Sequence, residues 1–337
     1  MFTEKSALPV VRNRNDFIYR LSVKDKDLIF ENFDSAPWCL NGHFHTVLCS
    51  LLFQPSEAGY ERIEIETPDS DFLQLDLYEI PGSTKIVLLL HGLEGHSRRY
   101  YIARLAAYLN RRGISAIAMN YRSCGGKMNR NRKFYHSGET DDLHTTLKWV
   151  QNRFTGQSIH MAGFSLGASS MLNYLNKYGT RHPVNSAAAI STPFELKKGS
   201  LNLEKGFNRV YTRQFLTTLI QKLNQKKERF PDLPDFNGST LYNFDDQVTA
   251  PIHGFEDADD YYGSCSSAFF MHRIQTPLLV IHSKEDPLCP FRWVPHKEIA
   301  RNSKVNACFT KKGGHVGFWS LPPGWLNRVI TDYFLAY

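Results

Sequence analysis

The chain has 337 residues, 42% of them hydrophobic and 22% charged, so it can bury a large core and falls outside disordered, collagenous and coiled-coil compositions. A net charge of +7 over that length is too mild to mark a nucleic-acid partner. The longest apolar runs, such as Ile86 to Leu90, have strand length and fall far short of the roughly 18 residues a membrane-spanning helix needs.

Met1 to Leu21 scatters Glu4, Lys5, Arg12, Arg14 and Asp16 among its apolar residues, which is not the apolar block of a secretory signal; a soluble, cytoplasmic protein is expected. Glu61 to Thr67 and Phe72 to Ile80 then alternate in polarity and predict an antiparallel start to a sheet. Lys85 to Leu90 is a buried-type strand ending in His91-Gly92, followed by helical spacing over Ser97 to Arg112. The same strand-and-helix unit recurs as Ile114 to Asn120 with Glu139 to Phe154, and as Ser158 to Phe164 with Leu166 to Tyr178. Ser186 to Ser191, Pro277 to Ser283 and Lys304 to Thr310 are further strands, with Trp293 to Arg301 and Gly324 to Leu335 as late helices. Continuous apolar strands alternating with helices predict a mostly parallel sheet covered on both faces. One domain spanning 1–337 accommodates all of them. Between 194 and 262 the pattern breaks, charge and Asn rise, and Pro231 and Pro234 appear. This insertion is expected to be a cap over a site, the alternative being a peripheral helical excursion.

Six cysteines, Cys39, Cys49, Cys124, Cys265, Cys289 and Cys308, lie far apart without a CxxC pair and read as reduced thiols. Asp257, Asp259 and Asp260 cluster near His253, but no hard-metal loop and no HExxH spacing is present, so no metal is expected. No P-loop or GxGxxG follows a strand, and no cofactor is expected. The basic run Arg122, Lys127, Arg130, Arg132 and Lys133 reads as a solvated loop or as an attractor for an anionic head group.

Gly163-Phe164-Ser165-Leu166-Gly167 sits between an apolar strand and a helix, where a nucleophile elbow belongs. Its glycines let a sharp turn pack around a serine held in a strained conformation. A serine hydroxyl needs a base, and the base an orienting acid. Both stand on later strand ends: Asp286, followed by Pro287, is the expected acid with Glu285 in reserve, and His315, set among Gly313, Gly314 and Gly317, is the expected base. His282, His160 and His182 read as core residues. His91 ends the strand that feeds His91-Gly92-Leu93-Glu94-Gly95, so the backbone N–H of Leu93 and that of Leu166, at the positive end of its helix, are the expected oxyanion donors.

With those residues in hand, the chain resembles the YheT-like branch of the α/β-hydrolases. The resemblance is carried by His91 to Gly95, Asn120-Tyr121-Arg122-Ser123-Cys124-Gly125, Tyr135-His136-Ser137-Gly138-Glu139-Thr140-Asp141-Asp142, Gly163 to Gly167, Glu204-Lys205-Gly206-Phe207 and Gly313-Gly314-His315-Val316-Gly317-Phe318. It implies an α/β-hydrolase fold with an eight-stranded, mostly parallel sheet and a helical cap, and a serine esterase acting on small-molecule carboxylic esters; short to medium acyl chains are expected. Ser165, Asp286 and His315 then take the triad positions. Some eukaryotic relatives resemble medium-chain acyltransferases or phospholipases, and eukaryotic members often carry a membrane anchor ahead of the domain; with no such segment read in this sequence, a soluble bacterial-type member is expected. One departure is Asn41-Gly42-His43-Phe44-His45-Thr46, which stands where the family tends to have Asn-Pro-His-Leu-Gln-Thr. Two other functions use the same residues or fold: an acyltransferase that passes the acyl group to an alcohol, and a noncatalytic lipid-binding protein.

Overall fold

A computed structural model describes residues 32–53 and 59–337, with the backbone of three two-residue strands, Phe17–Ile18, Ser22–Val23 and Lys26–Asp27. Apart from Phe17–Ile18, the segment Met1 to Leu21 therefore lies outside the described residues. Eight full strands form the sheet: β1 (Glu61–Glu66), β2 (Phe72–Tyr78), β3 (Lys85–Leu90), β4 (Ser115–Asn120), β5 (Ser158–Phe164), β6 (Val184–Ile190), β7 (Leu278–Ser283) and β8 (Val305–Thr310). Their order is β8-β7-β6-β5-β3-β4-β2-β1, with Phe17–Ile18 added antiparallel at the β8 edge. From β3 to β8 all pairings are parallel, and β1 and β2 are antiparallel. This is the α/β-hydrolase fold.

Side chains of one strand serve both faces in turn. Ile86, Leu88 and Leu90 join the core beneath α3 (Asp141–Arg153) and α4 (Leu166–Tyr178), whereas Val87 and Leu89 join the core beneath α2 (Tyr100–Arg111) and α11 (Trp325–Leu335). Burial on both faces is what makes β3 apolar at nearly every position.

Two expectations needed correction. The helix after β3 starts at Tyr100, not Ser97, because Ser97 is committed elsewhere: its N–H bonds Asn120 Oδ1 at 2.8 Å and its hydroxyl bonds Asp76 at 2.6 Å. Trp293 to Arg301 is not one helix. Pro295 forces Val294 into extended backbone, and the segment splits into a 3₁₀ turn, Phe291–Trp293, and a short helix, α10 (His296–Arg301). β2 alternates in sequence but is buried throughout. Its polar residues are paired internally: Asp76 binds Arg62 at 2.6 Å, and Gln74 Nε2 donates to Glu64 at 3.1 Å.

The basic run is in part the solvated loop expected, with Lys127, Arg130, Arg132 and Lys133 exposed, but Arg122 is not. Arg122 is buried and donates to Asp142 at 2.6 Å, Asp69 at 2.7 Å and Asp71 at 3.2 Å. Farther out, Lys127 pairs with Glu64, Arg130 with Glu66 and Arg132 with Asp232.

Between β6 and β7 the chain forms only helices: α5 (Leu196–Leu203), α6 (Asn208–Lys227), α7 (Leu241–Phe244), which runs through a π turn, Asp245–Thr249, into α8 (Ala250–His253), and α9 (Ala258–Cys265). They build a separate apolar cluster from Leu203, Leu216, Leu223, Leu241, Phe244 and Val248, closed by Leu288 and Cys289 from the loop after β7. Buried Lys226 of α6 donates to Asn129 Oδ1 at 2.6 Å and to the Asn131 carbonyl at 2.7 Å, pinning this layer to the loop after β4. Among the described residues no helix is long and apolar enough to cross a membrane. All six cysteines are buried free thiols.

Candidate active site

Parallel strands bring their carboxyl ends to one edge, and the loops there collect the candidate residues. His91 follows β3, Ser165 follows β5, Asp286 lies three residues beyond β7, and His315 lies five beyond β8. Ser165 has φ 54° and ψ −122°, a left-handed backbone that costs on the order of 1–3 kcal/mol for a non-glycine residue. The turn exists because its neighbours lack side chains. A Cβ on Gly163 would lie 2.6 Å from the Gly167 carbonyl oxygen, and one on Gly167 would lie 2.5 Å from the His91 carbonyl oxygen.

From that turn the serine reaches across the edge. His315 Nε2 is 2.8 Å from Ser165 Oγ, and His315 Nδ1 is 3.0 Å from Asp286 Oδ2. The Asp286 side chain has no solvent exposure, and its Oδ1 accepts the N–H groups of Leu288 and Cys289 at 2.9 Å each. Burial alone would raise its carboxyl, but the charge and hydrogen bond of His315, with the Cys289 N–H, outweigh that and hold it below the usual carboxylate range. Glu285 turns instead to Lys312, 3.2 Å away.

The Leu93 loop is braced on every side. The His91 ring bonds the Gly92 carbonyl through Nδ1 at 2.8 Å and accepts the Tyr121 N–H through Nε2 at 3.2 Å; burial pushes its pKa down to about 3, so it is a neutral strut. Tyr101 Oη takes the Gly92 N–H, and Tyr135 Oη takes the Glu94 N–H at 2.8 Å while donating to Glu94 Oε1 at 2.9 Å. Lys222 of α6 reaches the same carboxylate at 2.8 Å. Between these occupied amides, the N–H groups of Leu93 and Leu166 have no acceptor among the described residues.

Of the histidines read as core, His160 binds Ser186 and Ser158, and His182 binds Thr276 and accepts the Val184 N–H. His282 is only half satisfied: Nε2 donates to the Cys289 carbonyl at 2.7 Å, and Nδ1 is buried without a partner among the described residues.

Sequence reasoning missed Thr46. The Asn41 to Thr46 segment forms the start of a helix, α1 (Gly42–Leu52), capped by Asn41. Thr46 Oγ1 accepts the His315 N–H at 2.8 Å and donates to the Gly42 carbonyl at 2.7 Å. Gly42 and Gly314 permit this contact: a Cβ on Gly42 would lie 1.8 Å from the Glu285 carbonyl oxygen, and one on Gly314 would lie 2.4 Å from Thr46 Oγ1. The signal was the polar Thr46 within a segment already singled out. Thr46→Val keeps the shape but strips the His315 N–H of its acceptor, so the protein is expected to lose about 1–3 kcal/mol in urea unfolding. Unchanged stability would show that the Thr46 bond does not hold the His315 loop in place.

A strained serine between two glycines, in line with a histidine and a buried aspartate, on loops at the carboxyl edge of an eight-stranded sheet, defines the class of α/β hydrolases. Comparison with known proteins gives the same class: a family model for the alpha/beta hydrolase fold matches residues 85–320. Escherichia coli (strain K12) "Putative esterase YheT" is 35% identical over 310 residues, covering 88% of this chain and 91% of that one. Human "Phospholipase ABHD3" is 26% identical over 326 residues, covering 92% and 80%. Among solved structures, the Pyrococcus furiosus esterase Pf2001 superposes with a TM-score of 0.58 at 20% identity, over 83% of this chain and 91% of that one. The chain belongs to the α/β-hydrolase fold family, in its YheT-like branch.

Proposed function

We propose that this carboxylic ester hydrolase works through an acyl-enzyme on Ser165. The observation that carries the reading is the continuous relay from Ser165 Oγ through His315 to Asp286, at 2.8 and 3.0 Å, mounted on a strained turn. His315 Nε2 takes the Ser165 proton as Oγ attacks the ester carbonyl. The N–H groups of Leu93 and Leu166 receive the oxyanion, the second at the amino end of α4 where the helix dipole adds to the attraction. His315 then gives its proton to the departing alcohol. A water activated by the same imidazole releases the acid, while Asp286 fixes the tautomer and balances the imidazolium charge.

The cavities around Ser165 suggest how the ester lies. On one side a cavity of about 100 Å³ is walled by Leu196, Leu203, Phe215, Leu241 and Leu288. It shares Leu93, Leu166 and Leu241 with a deeper one of about 90 Å³, lined by Phe134, Leu219, Phe244 and Ile252. Together they suit a short to medium acyl chain. On the other side a roomier cleft of about 220 Å³, with Thr46, Ser50, Arg99 and Gln214, suits the alcohol. Residues 194–262 supply walls to all three cavities, which supports their reading as a cap.

The test is a series of p-nitrophenyl esters from acetyl to dodecanoyl, with and without ethanol. A peak in kcat/KM at short to medium chains supports the reading, whereas activity confined to long chains or to peptides contradicts the acyl assignment. Ethyl esters as the main product with ethanol present would identify an acyltransferase. Leu219→Trp, which fills the deep cavity, is expected to lower kcat/KM for the longest accepted ester by tenfold or more and to spare the acetyl ester, because each excluded methylene is worth roughly 1 kcal/mol or more. An unchanged profile would place the acyl chain elsewhere.

A further inference from the structure

The loop that carries Asp286 is gripped from outside by the insertion. Asp286 Oδ1 accepts two consecutive backbone N–H groups, those of Leu288 and Cys289, at 2.9 Å each. The first belongs to the peptide unit that contains the Pro287 carbonyl, the second to the unit that contains the Leu288 carbonyl. In a trans peptide the C=O and the N–H point in opposite directions, so a group that holds these carbonyls from behind aims the N–H groups at the carboxylate.

Two buried asparagines of the insertion hold them. Asn202, in the last turn of α5, donates from Nδ2 to the Pro287 carbonyl at 2.8 Å, with a longer contact to the Leu288 carbonyl at 3.5 Å. Asn208, the first residue of α6, donates from Nδ2 to the same Pro287 carbonyl at 2.9 Å and to the Asn202 carbonyl at 3.2 Å. Both lone pairs of the Pro287 oxygen are thereby used. The Asn208 amide has one possible orientation, because turning it over would set its oxygen against two carbonyl oxygens. Its Oδ1 is left buried with no partner among the described residues, a cost that a leucine of similar volume would not carry. Packing gives no reason for an asparagine at this position; the two carbonyls do.

We propose that Asn202 and Asn208 are positioning residues for Asp286, a role that rests on Asp286 being the acid of the triad: by holding the Pro287 and Leu288 carbonyls they aim the two N–H groups that fix the carboxylate opposite His315. A donor on the carbonyl side of a peptide also polarises its N–H and strengthens it as a donor. The insertion then takes part in catalysis beyond walling the acyl cavities, since α5 and α6 set the geometry of the acid. Without the clamp the turn relaxes, the carboxylate drifts from His315 Nδ1, and the imidazolium loses part of its stabilisation, so the pKa of His315 falls. The other titratable groups around this pair are Cys289, His282 and Tyr211. All three stay neutral near that pH, because burial pushes the Cys289 thiol up, the His282 imidazole down and the Tyr211 hydroxyl up to about 12. The acid limb of kcat/KM therefore reports His315.

The test measures kcat, KM and the pH profile of kcat/KM for Asn202→Leu, Asn208→Leu and the two combined, in the full chain. Thr212→Val is the control for the insertion's own stability, since Thr212 Oγ1 donates to the Leu203 carbonyl at 2.7 Å, between α6 and α5, and touches neither Pro287 nor Leu288. The result expected is a kcat lower by about tenfold in each single variant and on the order of 10² in the pair, with KM little changed and the acid limb moved to lower pH. Thr212→Val is expected to change neither kcat nor the limb. Each single variant leaves the Pro287 carbonyl one donor, so the singles carry the test if the pair does not fold. Placed on Asp286→Asn, Asn208→Leu is expected to cost little further activity, because residues that act through one another are not additive. An unaltered kcat and acid limb in the single variants, a loss matched by Thr212→Val, or a full further loss on top of Asp286→Asn overturns the proposal and leaves the triad standing. Near-normal activity of Asp286→Asn itself overturns the triad reading, and the proposal with it.

Discussion

His315→Ala is expected to lower kcat for ester hydrolysis by on the order of 10⁶, with the far-UV circular dichroism of the unaltered protein. The size follows from the single imidazole that connects everything else: Ser165 Oγ is 2.8 Å from Nε2, and Asp286 contacts only the opposite nitrogen. Without it the hydroxyl keeps its proton, and neither the oxyanion donors nor the cavity can supply a base. The two amides remain, so a residual rate above that of water is expected. A variant that is folded and retains more than a hundredth of the activity would show that another group deprotonates the serine.

Asp286→Asn is the second large effect, a loss of roughly 10⁴ in kcat. The asparagine fits the same pocket, and its oxygen can still accept the Leu288 and Cys289 N–H groups that now bind Asp286 Oδ1. What changes is the other end. An amide NH₂ facing His315 Nδ1 donates where the carboxylate accepted, so Nδ1 loses its proton, Nε2 carries it, and the ring cannot take another from Ser165. The acid limb of stability changes too. The folded Asp286 carboxyl lies below its unfolded value, so the stability it contributes is complete above the ordinary carboxylate range and is lost as pH falls through the folded pKa. Asp286→Asn removes that part of the acid unfolding, which urea melts at descending pH would reveal. Near-normal kcat would show that Asp286 does not set the tautomer.

How much of this could be read from residues alone differs from place to place. β3, β5 and α4 fall where the apolar runs and the GxSxG turn put them, because burial on both faces and a glycine-bounded elbow leave direct marks in sequence. That most of the sheet is parallel also follows from the alternation of strands and helices. What escaped is mostly long-range pairing. Ser97 looks like a helix starter until Asp76 and Asn120, from two other strands, claim it. Arg122 looks like a surface charge until Asp69, Asp71 and Asp142 converge on it. α1 had no periodicity strong enough to be noticed, yet Thr46 holds the His315 loop from 269 residues away in sequence. Lys222 and Tyr135, which brace Glu94 beside Leu93, are ordinary residues in ordinary elements. Such partners are set by the packing of elements against one another, which a single sequence does not display.

That Ser165 is the nucleophile is tested by reacting the purified protein and its Ser165→Ala variant with a fluorophosphonate, then measuring intact mass and mapping the labelled peptide. One adduct per chain is expected, on Ser165, and none on the folded variant. A folded protein that stays unlabelled, or that labels equally without Ser165, would contradict it, and tight lipid binding by such a protein would point to a binding role on the same fold.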